Sequence, residues 1–199
     1  MRKLVLATTN KGKVAELREL LAGLPVCVCG LDDYPQAPEV EETGVTFAEN
    51  AALKARTIGE YTGELTLADD SGLEVDALGG EPGVYSARYG QPGWNDRQRY
   101  EYVLSKLAGV PENERAARFR CAVALFDPVA NRMELADGAV EGRILDEPRG
   151  ANGFGYDPVF FLAEYRKTMA ELGPEQKNRL SHRARAIAAI LPTLRQHLG

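Results

Sequence analysis

The sequence predicts an α/β fold with a mixed sheet and two lobes. Three observations lead there. Strand-length apolar runs alternate with helical periodicities early in the chain, and strand-like runs cluster later. A chain of 199 residues can bury one sizeable core or fill two small lobes, but not two ordinary domains. No repeat, low-complexity stretch or linker divides it, so residues 1–199 are read as one domain with two lobes.

The elements follow in order. Leu4–Ala7 is a short apolar run that fits a buried first strand better than a signal peptide, for which it is too short. Polar Thr8-Thr9-Asn10-Lys11-Gly12-Lys13 follows, and Val14, Leu17, Leu20 and Leu21 then recur at helical spacing. Val26–Val28 reads as a second strand. Asp32–Gly44 is acidic with two prolines, hence a loop. Thr46 and Glu49 form a capping box, and Phe47, Ala51, Lys54, Ala55 and Ile58 share one face of the helix it opens. Leu65–Ala68 reads as a short buried strand running into Asp69-Asp70-Ser71-Gly72. A helix is expected over Asp96–Leu107. Phe119–Phe126 and Met133–Val140 are expected as an antiparallel pair, with a further strand near Gly142–Leu145 and a loop over Gly150–Pro158. The last helix carries Ala184, Ile187, Ala188, Leu191 and Leu194 on one stripe, with Pro192 expected to bend or weaken its final turns.

Net charge is −5, against a general nucleic-acid binder or a polybasic membrane anchor. The charge is unevenly placed: residues 1–31 sum to +3, 32–81 to −11, 82–165 to −2 and 166–199 to +5. No apolar run reaches the ~18 residues of a membrane span. Cys27, Cys29 and Cys121 lack zinc-ligand spacing and are read as buried free thiols of a reducing cytoplasm. His197 is read as a surface residue.

Four segments could carry chemistry. Thr8–Lys13 sits where a strand ends and a helix begins, a place where backbone N–H groups and the helix dipole favour anions. The plainer reading is a helix cap by Thr9 or Asn10 with solvated lysines. Asp69 and Asp70 are adjacent carboxylates, costly to bury without a cation. A turn beginning at Asp70 would bring both toward one Mg²⁺, with Glu41 or Glu42 supplying another oxygen. The plainer reading is an Asp turn capping backbone amides. Gly153-Phe154-Gly155-Tyr156-Asp157-Pro158 lets backbone approach a flat ligand, with Phe154 offering a stacking face and Asp157 an acceptor. A tight turn with Phe154 and Tyr156 in the core would look the same. Lys177 and Ser181-His182-Arg183 place cations at a helix start, where an acceptor would explain them; a solvated helix start is the alternative. Lys54 either reaches the acidic site or is solvated.

Taken together, these segments resemble the inosine/xanthosine triphosphate pyrophosphatases. The matching residues are Thr8–Lys13, Glu41-Glu42-Thr43-Gly44, Phe47-Ala48-Glu49-Asn50-Ala51, Ala68-Asp69-Asp70-Ser71-Gly72-Leu73, Pro82-Gly83-Val84-Tyr85-Ser86-Ala87-Arg88, Gly153–Pro158 and Ser181-His182-Arg183. Each is weak alone, but their order and spacing cover nearly the whole chain. The resemblance implies an elongated mixed central sheet flanked by helices, with an active-site cleft between two lobes. It implies a homodimer that uses Mg²⁺ to hydrolyse dITP, ITP and XTP to the monophosphate and pyrophosphate. By the same resemblance Asp70 is the general base, and Glu42 and Asp70, supported by Asp69, are the metal carboxylates. Thr8, Thr9, Asn10, Lys11, Gly12, Lys13 and Ser71 contact the triphosphate, with Lys13 also helping the chemistry. Phe154, Gly155, Tyr156, Asp157, Lys177, His182 and Arg183 read the base, and Lys54 is counted with the substrate contacts. Two other readings stay open: a nucleotide sensor without turnover, which could dispense with Asp69-Asp70, and a pyrophosphatase of modified pyrimidine nucleotides, which would not need the Phe154 loop or Ser181-His182-Arg183.

Overall fold

Strand β1 (Arg2–Leu6) carries Leu4, Val5 and Leu6, all fully buried, as befits an interior parallel strand covered on both faces. The computed structural model, which describes residues 2–198, follows it with α1 (Lys11–Leu20) and β2 (Val26–Cys29). Helix α2 (Phe47–Thr62) begins at the expected capping box. The Thr46 hydroxyl accepts the Glu49 N–H at 3.1 Å, and the Glu49 carboxylate accepts the Thr46 N–H at 3.2 Å. Phe47, Ala51, Ala55 and Ile58 form its buried face. Next come β3 (Leu65–Val75), α3 (Asp96–Lys106), β4 (Ala116–Asp127) and β5 (Arg132–Ile144). Short strands β6 (Phe160–Leu162) and β7 (Lys167–Thr168), then α4 (Pro174–Leu180) and α5 (His182–Leu198), complete the chain.

The strands form one seven-stranded sheet in the order β2-β1-β3-β4-β5-β6-β7. It is mixed: β1 pairs in parallel with β2 and β3, whereas β5–β6 and β6–β7 are antiparallel. The expected α/β class with a mixed sheet and flanking helices is therefore observed.

The chain divides into two compact units. The first comprises Met1–Asp70, Cys121–Gly138 and Arg183–Gly199. Its core joins Leu4, Leu6, Leu17, Leu65 and Leu67 to Val123, Leu125 and the Ala186, Ile187, Ile190 and Leu194 face of α5. The second comprises Ser71–Arg120 and Ala139–His182. Its core joins Leu73, Val75, Val103, Leu107 and Phe119 to Ile144, Tyr156, Val159 and Phe160.

Several local expectations change. Leu65–Ala68 is only the start of β3, which runs on through Asp69, Asp70 and Gly72 to Val75, so no turn begins at Asp70. Burial of Leu73 and Val75 extends the strand past the polar residues. The strand expected near Gly142–Leu145 is the continuation of β5, which ends at Ile144. Gly142 there is a close-approach position rather than a break: a Cβ would lie 2.6 Å from both the Phe160 ring and the Phe161 carbonyl. On α5 the buried stripe runs through Ala186 and Ile190, whereas Ala188 faces solvent. The helix continues past the exposed Pro192 to Leu198.

Cys27 is exposed rather than buried, because β2 is an edge strand; all three cysteines are free thiols. His197 is half-buried rather than free on the surface. Its Nδ1 lies 3.2 Å from Asp127, whose carboxylate also takes Arg2 at 2.7 Å. Among the described residues no helix is long and apolar enough to cross a membrane.

Candidate active site

The two adjacent aspartates are built into different surroundings because β3 stays extended, and successive side chains of a strand point to opposite faces. Asp69 is fully buried. Its Oδ2 accepts from Arg183 through Nε and Nη2, both at 3.1 Å, and lies 3.1 Å from Lys13 Nζ. Arg183, the second residue of α5, also pairs with Glu16. Lys13 and Glu16 share one side of α1, being three residues apart. A buried chain of alternating charge therefore runs Glu16, Arg183, Asp69, Lys13, with the Cys121 thiol 4.0 Å from the Asp69 carboxylate. Burial alone would raise the Asp69 pKa, but Lys13 and Arg183 outweigh it and hold the carboxyl well below its usual range. Burial and the same anion push the Cys121 thiol up to about 12, which disfavours its thiolate.

Asp70 has other partners. Its Oδ2 accepts the Asn50 side-chain amide at 3.1 Å, and its Oδ1 lies 3.5 Å from Lys54 Nζ. Lys54 also holds Glu42 at 2.6 Å, so one ammonium group joins the two carboxylates. Asn50 is fully buried, and its carbonyl oxygen accepts the Gly44 N–H at 2.8 Å, which turns its NH₂ toward Asp70. Burial raises the Asp70 pKa despite the opposing pull of Lys54. Burial would lower that of Lys54, but Asp70, Asp69 and Glu42 raise it. The result is a charged lysine beside a carboxylate more basic than usual.

This geometry tests the fit of a divalent cation. Mg²⁺ commonly takes one or two carboxylates, with waters and substrate phosphates filling its shell. Glu42 and Asp70, already converging on one cation, suit that pattern. Asp69, expected to support them, fits less well because its carboxylate serves Lys13 and Arg183. Arg183, expected at the base, lies instead in this buried group with its guanidinium on Asp69 and Glu16.

At the start of α1, Asn10 is the cap: its Oδ1 accepts the Lys13 N–H at 3.1 Å, and its own N–H goes to the Thr8 hydroxyl at 3.2 Å. The helix-cap reading of this segment is thus observed. Thr9, Asn10 and Lys11 are exposed, and Thr8 and Gly12 are half-buried.

In the second unit, Gly150–Pro158 is the expected loop, with Gly150, Gly153 and Gly155 all at positive φ. Asp157 draws it tight. Its Oδ2 accepts the Phe154 N–H at 3.0 Å and Lys177 Nζ at 2.7 Å. The Lys177 ammonium also lies 4.7 Å from the centre of the half-buried Phe154 ring. Tyr156 is buried and donates its hydroxyl to the Ser86 carbonyl at 2.8 Å. The Gly155 N–H goes to Asp96, the first residue of α3, at 2.8 Å. His182 is buried and stacks on Phe119, with ring centroids 4.9 Å apart. Ser71 is half-buried on β3.

Gly153 carries the tightest requirement in this loop. Its φ is +77°, and a Cβ would meet the Asp157 carboxylate at 2.0 Å. Gly153→Ala is therefore expected to cost about 1–2 kcal/mol in backbone strain alone, and more through displacement of Asp157. A melting curve unchanged from the parent would contradict this.

Sequence reasoning assigned no role to Asn50 or Glu16. Both carried a usable signal. Asn50 is a polar residue on the apolar face of α2, between Phe47 and Ala51, and Glu16 stands three residues after Lys13.

An α/β protein that gathers carboxylates with ammonium groups in one unit, and a glycine-bracketed aromatic loop in the other, belongs by class with enzymes acting on nucleotides. More specifically, the chain belongs to the Ham1 family, whose model matches residues 4–193. A Shouchella clausii protein named dITP/XTP pyrophosphatase is 52% identical over 194 residues, covering 98% of this chain and 97% of that protein. A Geobacter sulfurreducens protein of the same name is 52% identical over 199 residues, covering 100% and 98%. Among solved structures, a HAM1 protein from Coxiella burnetii superposes with a TM-score of 0.89 at 41% identity, covering 99% of this chain and 100% of that one. The Staphylococcus aureus Ham1 protein gives 0.87 at 38% identity and 100% of both.

Proposed function

We propose that the chain is a nucleoside triphosphate pyrophosphatase that cleanses the cytoplasmic pool of dITP, ITP and XTP, releasing the monophosphate and pyrophosphate. The observation that carries the chemistry is Asp70. It is a buried carboxylate with a raised pKa, oriented by Asn50 and joined through Lys54 to Glu42. The names of the relatives support the substrate class.

Asp70, oriented by the Asn50 amide, accepts a proton from the attacking water. The water attacks the α-phosphorus. Lys13 and the Asn10 amide donate to the departing pyrophosphate, with Thr8, Thr9, Lys11, Gly12 and Ser71 holding the triphosphate. Glu42 and Asp70 would hold Mg²⁺, which when bound would offset the negative charge of the phosphates. Lys54 balances the two carboxylates and contacts substrate. Asp69 keeps Lys13 and Arg183 in place.

In the second unit, Phe154 stacks on the base, with Gly155, Tyr156, Asp157 and Lys177 forming the loop around it. Hypoxanthine and xanthine present a carbonyl at ring position six, where adenine presents an amino group. A donor from His182 satisfies a carbonyl and opposes an amino group, a mismatch that can reach about 10⁴-fold. The enzyme works as a homodimer.

The test is pyrophosphate release from ITP, dATP, dGTP and dTTP, with and without Mg²⁺. Release from ITP that needs Mg²⁺ and far exceeds that from the other three is expected. Preference for dTTP would point to a pyrimidine enzyme, and binding of ITP without release to a sensor.

A further inference from the structure

The segment Pro82–Arg88 matches the family pattern but has so far been given no task. It lies along β3 beyond the reach of β1, whose last partner on that strand is Leu67. There the Val75 N–H goes to the Glu81 carbonyl at 3.1 Å, and Glu74 bridges to Pro82. Gly83–Arg88 then forms a short 3-10 turn with Ser86 as its buried residue.

Ser86 makes three hydrogen bonds in two directions. Its hydroxyl accepts the Leu73 N–H at 2.9 Å and donates to the Gly83 carbonyl at 2.7 Å. Its own carbonyl accepts the Tyr156 hydroxyl at 2.8 Å. Leu73 stands three residues along β3 from Asp70, and Tyr156 is two residues from Phe154. Burial makes both links obligatory. A buried amide N–H or phenol hydroxyl left without a partner is costly, and the Leu73 amide takes a side chain in place of a neighbouring strand. The Tyr156 ring, packed in the core with Leu73 and Phe160, cannot reach a base itself without leaving that core.

We propose that Ser86 is a positioning residue for base recognition. It ties the base loop, through Tyr156, to the stretch of β3 that follows the catalytic carboxylate. Tyr156 accordingly acts on the nucleotide through the loop backbone that sets Phe154. This rests on the proposed nucleotide hydrolysis. It predicts that the link governs nucleotide binding and leaves the proton transfer at Asp70 alone.

The experiment compares Ser86→Ala, Tyr156→Phe and the double variant by steady-state ITP hydrolysis and by melting. Tyr156→Phe should raise KM for ITP about fivefold to tenfold, the cost of one buried hydrogen bond, and Ser86→Ala, which loses two, at least as much, each with kcat within about twofold. The double variant should be no worse than the more impaired single one, because both changes cut the same link. Additive effects, or lower melting temperatures with unchanged KM, would overturn the proposal and leave Ser86 a purely structural residue. If Ser86→Ala fails to fold, Tyr156→Phe decides alone, since it removes one oxygen and keeps the ring. Failure of the parent enzyme to hydrolyse ITP would instead defeat the functional reading, and this inference with it.

Discussion

Asp70→Asn is expected to reduce turnover of ITP by about 10²–10⁴-fold, the usual worth of a positioned general base. The change keeps the size and planarity of the side chain and removes its ability to take a proton, together with the negative charge it offers Mg²⁺. The fold should tolerate it. Asp70 is already disfavoured as an anion by burial, and its neighbour Asn50 can still meet an amide. Binding should persist, because the groups assigned to the triphosphate and base are left in place. Pyrophosphate release, read beside nucleotide binding by calorimetry, separates the outcomes. Turnover equal to the parent would remove Asp70 as the base.

Asp69→Ala is expected to act on stability, by about 3–5 kcal/mol, the range for breaking a buried ion pair by deleting one partner. The charge chain explains the size. Arg183 is 1% exposed, and Asp69 meets both it and Lys13. Removing the carboxylate takes their shared anion from two cations, Lys13 and Arg183, and leaves Arg183 its pairing with Glu16. For a chain of this length the loss corresponds to a fall in melting temperature of roughly 6–20 °C. A fall of only a degree or two would show that water or rearrangement satisfies the cations. Two adjacent, chemically identical side chains thus have separate surroundings, Asp69 against Lys13 and Arg183 and Asp70 against Asn50 and Lys54.

That separation was hidden in the sequence, and the reason is physical. Two carboxylates followed by Ser71-Gly72 look like a turn, because local cues for a turn are polar residues and glycine. What keeps β3 extended is long-range: cations supplied by residues 13, 54 and 183 and a core built around Leu73 and Val75. Local rules carried the parts with short-range causes. The Thr46–Glu49 box and the Phe47, Ala51, Ala55 and Ile58 face are set by contacts three or four residues apart, and both were legible. Lys54 was legible as a residue on that face, but which acids it would meet was not. Strand β5 read as two pieces, Met133–Val140 and a strand near Gly142–Leu145, since nothing nearby in the sequence announces the Phe160 ring beside Gly142. His197 read as a surface residue because its partners, Arg2 and Asp127, lie at the far end of the chain and in its middle. The loop of Phe154 was legible from its glycines, whereas its ties to Ser86 and Asp96 were not.

The most direct test is hydrolysis of ITP in water enriched in heavy oxygen, with Mg²⁺ present and the products resolved by mass spectrometry. The account predicts one heavy oxygen in the inosine monophosphate and none in the pyrophosphate, since the water attacks the α-phosphorus. Label in pyrophosphate, or labelled orthophosphate with the diphosphate as co-product, would contradict it.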